Sequence, residues 1–304
     1  MGGRIPSIRV YNEHGDFIGK APSSDSSYVS PGGWVTITVD QQGAGRSQQA
    51  TFLEVAGADG DPVCVSYIGQ TWSDGTRLAW VGDIGKYCRK PWYYSDLYVS
   101  MPNGTLYKPR CMWIGQGVAY NPGTTDQTAA NIIPAIQIHT PNFGRQTESG
   151  GISVPANPST LCGPPYMTFF TESRFDPTSS AGSRTRAIAF LAAMDLFGVV
   201  AGAVAKHVPK FVDQPQVKEA FGGRLVSSYH GKHTAKEICV NEFSLGPDFV
   251  SFSDNTFCDM ETKTAWPLCD AEHSKGCFDW ETKTLVIGMF RKRELKYSKV
   301  VEWT

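Results

Sequence analysis

From the amino terminus to about residue 140, short apolar runs alternate with polar ones and are broken by turn residues, a pattern that predicts strands. Runs 8–11 and 17–18 flank the polar turn His14-Gly15-Asp16. Residues 34–39, Trp-Val-Thr-Ile-Thr-Val, are largely β-branched and alternate as a half-buried strand does. Runs 51–55 and 63–68 bracket the turn Ala58-Asp59-Gly60-Asp61-Pro62. Runs 96–100 and 106–107 bracket Pro102-Asn103-Gly104-Thr105, where Asn-Gly signals a hairpin. Strands at this spacing predict a β-sandwich.

The pattern then changes. Residues 141–165 are rich in Gly, Pro, Ser, Thr and Asn and read as a long loop of the kind used for lids or binding segments. A helical segment is expected over 183–208. Its stretch 187–205 approaches the length of a membrane span, but Asp195 at its centre and its alanine-rich composition favour a buried helix. A second helix is expected over 214–221, capped by Asp213, with Pro215 in its first turn and Gly222-Gly223 ending it. Strands return after that. Asp259-Met260-Glu261-Thr262-Lys263-Thr264 is echoed by Asp279-Trp280-Glu281-Thr282-Lys283-Thr284, and two polar hairpin turns explain both copies. The expected fold is mainly β (α+β), sandwich-like, with one central helical segment. Residues 1–140 form a β-rich subdomain, and 141–304 form a loop, helix and hairpin subdomain packed on it.

Composition narrows the setting. The chain has 304 residues, with 28 basic and 29 acidic side chains, so no basic field exists to attract nucleic acid or anionic lipid. Its eight cysteines are Cys64, Cys88, Cys111, Cys162, Cys239, Cys258, Cys269 and Cys277, an even number without a C-x-x-C pair. They read as a disulfide framework in the secretory pathway or outside the cell, with connectivity open among 105 pairings. The opening Met1-Gly2-Gly3-Arg4-Ile5-Pro6 has no apolar leader core, so paired cysteines would imply a leader already removed. Asn103 lies in a glycosylation sequon at the expected hairpin tip.

Chemical motifs are sparse. The chain has no G-x-S-x-G elbow, no Walker loop and no dinucleotide fingerprint. His230-Gly231-Lys232-His233 has metal-like spacing with Glu237 beyond, but Gly231 argues against a rigid helix, so no metal is assigned. Proton transfer at a pocket mouth suits these histidines better. Trp72, Trp80, Trp92, Tyr93, Tyr94, Tyr98 and Trp113 fall in one β-rich stretch, interleaved with Asp74, Asp83, Arg89 and Asp96. Strand alternation would let half of them face a cavity and half pack inside. For any single one of them, an ordinary sandwich core is the better explanation.

Three stretches together resemble a family of secreted fungal proteins. They are Cys64-Val65-Ser66-Tyr67 with Trp72-Ser73-Asp74-Gly75 and Trp80-Val81-Gly82-Asp83; Pro91-Trp92-Tyr93-Tyr94-Ser95 leading to 107–114; and Phe257-Cys258-Asp259-Met260 through Cys269 to Cys277-Phe278. The chain is further similar to the fungal hetero-Diels–Alderases of tropolone–sesquiterpenoid biosynthesis. That resemblance implies a cofactor-free cycloaddition in which a tropolone quinone methide adds across an alkene of a humulene-type sesquiterpene. Such chemistry needs an apolar cavity that orients two partners and excludes water. Trp80, Trp92, Tyr94, Trp113, Phe169 and Phe170 are the expected substrate-binding residues. His230 or His233 is the expected acid–base group, and Arg174 the donor that polarises the tropolone oxygen. Two alternatives remain: a carbohydrate-binding or cell-wall-acting protein, and a non-enzymatic effector or structural protein. A closed apolar pocket favours the first reading, an open aromatic groove the second and a filled core the third.

Overall fold

A computed structural model describes residues 2–22, 27–42, 48–58, 61–100, 104–115, 132–144, 158–171, 221–288 and 292–303. The expected helical segment 183–208, Arg174 and Asn103 lie outside the described residues, as does the 214–221 helix except for Phe221. The fold is mainly β and disulfide-bonded. Its two α-helices among the described residues are short, Ile84–Tyr87 and Ala235–Val240, and no helix there is long and apolar enough to cross a membrane.

An antiparallel five-stranded sheet organises the amino-terminal half. Its order is Met167–Phe170, Ala135–His139, Phe52–Ala56, Ser7–Tyr11, Phe17–Ala21. Register explains its inner face. Val55 lies opposite Ile8 and Ile136, and Leu53 opposite Val10 and Ile138, so a period of two puts six aliphatic side chains on one side. They pack with Trp80, Met112 and Ile114 in one core cluster. The strand Met167–Phe170 lies beyond the expected subdomain boundary at residue 140 yet pairs with Ala135–His139, so this sheet draws on both sides of that boundary.

The second five-stranded sheet has the order Thr264–Pro267, Thr256–Asp259, Asp248–Ser251, Arg224–Ser228, Lys299–Trp303. Arg224–Ser228 is parallel to both its neighbours. A core cluster shared by the two halves joins Trp92, Tyr93, Tyr94 and Trp113 to Ile238, Phe249 and Trp303. Aromatic side chains bury about 150–250 Å² each, so this cluster is a main source of cohesion between the halves.

Local predictions resolve in detail. Asn12 Oδ1 accepts from the His14 and Asp16 amides, and Gly15 at φ 77° completes the expected first turn. Val99–Ser100 pairs with Leu106–Tyr107 around Gly104 at φ 78°. Both copies of the echoed hexapeptide are hairpin turns. Asp259 Oδ1 accepts from the Glu261 and Thr262 amides, Asp279 Oδ1 from the Thr282 amide, and Lys263 and Lys283 adopt φ 53° and 55°. All eight cysteines are paired, as Cys64–Cys111, Cys88–Cys162, Cys239–Cys258 and Cys269–Cys277. Four bridges fit maturation in an oxidising compartment.

One expected strand is absent. Residues 34–39 run alongside the sheet without joining it: Ile37 and Val39 pack on the core, while Trp34, Val35, Thr36 and Thr38 stay exposed. The chain touches the sheet edge only where Gly19 bridges Gln41 and the Gln42 amide donates to Ile18 O at 2.7 Å. Continued in that register, Thr38 would face Pro22, which has no N–H to give. The segment therefore peels away as a strap.

Candidate functional site

Two features gather chemistry: a polar network between the halves, and a cleft beneath the strap. The network starts at the helix Ala235–Val240. Thr234 caps it, its Oγ1 accepting from the Glu237 amide at 3.3 Å, which places Glu237 in the first turn. The Glu237 carboxylate accepts from Arg110 Nη2 at 2.9 and 3.1 Å, from the Tyr94 hydroxyl at 2.6 Å and from Lys86. Arg110 Nη1 also donates to Asp83 Oδ1 at 3.1 Å, which accepts the Tyr107 hydroxyl at 2.7 Å. The guanidinium lies 5.3 Å from the Trp92 ring centroid and 5.7 Å from that of Tyr94.

Environment sets the charge states. Burial pushes Glu237 up, but hydrogen bonds from Lys86 and Tyr94 and the Arg110 charge outweigh it and hold the carboxyl below its usual range. For Asp83 burial wins over Tyr107 and Arg110, and its pKa is raised. His233 is 2% exposed, stacks on Tyr94 at 4.5 Å, and shares a 3.0 Å hydrogen bond between Nδ1 and Ser228 Oγ. Burial, helped by His230, Lys108 and Arg110, pushes it down to about 3. At that burial, and outside the cleft, it packs and hydrogen-bonds inside the fold and does not stand at a pocket mouth. His230 lies 4.6 Å from it, partly buried, and is lowered by burial and then by Lys108 and Lys232. Partly exposed, it is the more accessible of the two rings.

The expected substrate-binding aromatics are core residues. Trp80, Trp92, Tyr94 and Trp113 are each at most 1% exposed and fall in two separate clusters, with Trp80 apart from the other three. Trp92 Nε1 donates to Asn241 Oδ1 at 3.0 Å, and Trp113 Nε1 to Leu245 O at 2.6 Å, so their polar ends are tied internally. Phe169 is partly buried under Lys90, whose Nζ is 4.7 Å from its ring, and Phe170 lies opposite Ala135 in the sheet. The structure thus brings His230, His233, Tyr94 and Trp92 together and sets Trp80, Phe169 and Phe170 elsewhere. Arg110 and Lys86 were missed as partners, because nothing local marks contacts across more than a hundred residues. Among the described residues no group of three or more His, Cys, Asp and Glu is arranged to hold a metal ion.

The cleft uses other residues. It measures about 1490 Å³ and runs between the strap and the strand Tyr67–Thr71. Ile8, Val10, Leu53, Val55 and Val65 supply aliphatic lining, and Trp34, Tyr67, Trp72 and Tyr98 supply aromatic lining. Trp34 is 82% exposed, while Trp72 is anchored by Nε1 donating to Ala50 O at 3.1 Å. The charged residues lining the cleft are Asp40 and Asp96, and Asp96 is paired with Lys108 at 2.6 Å. None of the six expected substrate-binding aromatics and neither histidine lines it, although the Tyr98 ring meets His230 edge-on at 6.4 Å. Comparison with known proteins finds no matching family model, no similar curated protein and no similar solved structure.

Proposed function

We propose that the protein is a secreted ligand-binding protein whose cleft beneath the strap takes an elongated, largely apolar ligand. The observation that supports this reading is the cleft itself, with aliphatic lining, a solvent-facing tryptophan and a volume above the roughly 300–1,000 Å³ of sites for one drug-sized molecule. The four disulfides suit such a scaffold outside the cell. The test is titration with the uncharged apolar fluorophore N-phenyl-1-naphthylamine, followed by energy transfer from tryptophan. Saturable binding to wild type, weakened in Trp34→Ala and in Val35→Asp, both at exposed positions lining the cleft, supports it. Binding that neither variant changes sinks it, and a positive glycan array in its place would favour the carbohydrate reading.

A second reading follows from the size of the cleft. Room for two ring-sized partners side by side suits a cofactor-free hetero-Diels–Alder addition of a tropolone quinone methide to a humulene-type alkene, in which the protein supplies orientation. Incubation with a hydroxymethyl tropolone and the alkene should give one stereoisomer faster than the protein-free control. A racemic product at the background rate removes this reading and leaves the binding proposal standing.

A further inference from the structure

One wall of the cleft is an edge strand with an unused hydrogen-bonding edge, and the other is the strap, whose backbone is unpaired. Tyr67–Thr71 pairs with Arg77–Val81 and with no other strand among the described residues. The Trp72 amide donates to Thr76 O, and the Gly82 amide to Ser66 O, which puts residues 66, 68, 70 and 72 in the hydrogen-bonded pairs of this ladder. In an antiparallel pair the alternate residues turn their N–H and C=O the other way. Tyr67, Gly69 and Thr71 therefore present both groups on the outer edge. The partner strand shows the same parity, because the Ala79 amide on its far side donates to Gly144 O at 2.9 Å. Across the cleft, residues 34–39 make no backbone hydrogen bond among the described residues, although they alternate as a strand does.

We propose that the cleft accepts an extended peptide segment of another protein as an added β-strand, bonded on one side to Tyr67, Gly69 and Thr71 and on the other to residues 34–39. This rests on the cleft being the binding site. A free strand edge on one wall and unpaired backbone on the other match a polypeptide backbone, and neither a sugar ring nor a terpene offers donors and acceptors at a strand's period. An edge of five residues spans about 17 Å, the length of an ordinary strand. Alternate side chains of the guest would point to the lining residues that keep some exposure, Val35, Ile37, Val65 and Ile68. Charge narrows the guest further: the charged lining is acidic, with no Lys, Arg or His, so a basic residue placed near Asp40 is favoured over an acidic one.

The probe is an array of synthetic heptapeptides with Val, Ile or Leu at positions two, four and six, and Lys scanned through the other positions. The best binder is then remade with the alternate backbone amides of one edge N-methylated, and separately with those of the other edge. N-methylation removes donors and keeps every side chain. Each version should bind at least about tenfold more weakly than its parent, since both edges are used. Asp40→Asn should weaken the Lys peptide by a few fold and leave its Lys-to-Ser analogue unchanged. Thr36→Pro, at an exposed position, should weaken both. Methylated peptides that bind as well as the parent overturn the strand-addition proposal. So does an array with no binder tighter than about 1 mM. If N-phenyl-1-naphthylamine still binds in that last case, the cleft reading survives alone; if it does not, both fall.

Discussion

Arg110 and Glu237 lie 127 positions apart, and Nη2 of the arginine donates to both carboxylate oxygens of the glutamate at 2.9 and 3.1 Å. The contact links the strand-rich amino-terminal half to the cap of the helix Ala235–Val240. Arg110→Ala leaves Asp83 without its ion-pair partner and Glu237 with Lys86 alone, and stability should fall by about 3 kcal/mol, the low end for breaking a buried pair. The same change in a Glu237→Gln background should cost less, because one stranded charge is gone. Urea denaturation of the four proteins, followed by tryptophan fluorescence, measures the coupling.

Asp248 should make the fold less stable as pH rises from about 4 to about 7. Its Oδ1 accepts from the Met260 amide at 2.8 Å and its Oδ2 from the Tyr297 hydroxyl at 2.7 Å. Burial, with Asp259 and Glu261 adding to it, raises its pKa from 3.8 to about 7. The folded chain therefore holds this proton longer than the unfolded one. Its contribution is complete below pH 3.8 and is lost as pH rises to about 7. Asp248→Asn keeps an acceptor and should be roughly 2–4 kcal/mol more stable than wild type at pH 8, with the gain vanishing near pH 4. Thermal melts across that range decide.

His233 acts in the opposite direction. Its pKa falls from 6.5 in the reference state to about 3 on folding, so its contribution is present above pH 6.5 and is lost as pH falls toward 3. Wild type should lose about 2 kcal/mol between pH 7.5 and pH 5 from this group. His233→Gln should flatten that slope. An unchanged slope would mean that the imidazole is already protonated in the fold.

The tryptophans should sort cleanly by place. Trp92→Ala empties a fully buried site and should cost about 3–5 kcal/mol. Trp34→Ala removes a side chain that is 82% exposed and should change stability by less than about 0.5 kcal/mol while reducing ligand binding in the cleft. Denaturation midpoints and fluorophore titration of both variants test the distinction between core and cleft.

The bridges should be unequal. Cys88–Cys162 closes a separation of 74 residues and Cys269–Cys277 one of 8. On loop entropy, replacing the first pair by serine should cost about 4–5 kcal/mol and the second about 2–3 kcal/mol. Urea midpoints of the two double variants give the ranking.

Sequence pattern made the hairpins legible because each is specified by adjacent residues, such as Asn12 with Gly15 or Asp259 with Lys263. It also gave the alternation of Ile8 with Val10 and of Leu53 with Val55. It misplaced residues 34–39, whose strand-like alternation says nothing about whether a neighbour has an amide to offer, and Pro22 has none. The buried fate of Trp80, Trp92 and Trp113 was open in the sequence, since a tryptophan on a strand points inward or outward according to register alone. Arg110 and Glu237 were unreadable as a pair because only the tertiary fold brings them together.

The echoed hexapeptide differs between its copies only at Met260 and Trp280. Each copy bends the chain in the same way, yet the two lysines have separate destinies. Lys263 Nζ reaches inward to Ser244 O at 2.7 Å and to Ile238 O at 3.3 Å, whereas Lys283 Nζ rests 3.3 Å from the centroid of the Trp280 ring. The bend is thus a portable instruction, and what its lysine does is dictated by the address where it is installed. Transplanting either cassette into the other's place would keep both corners and trade nothing but the fit of one side chain.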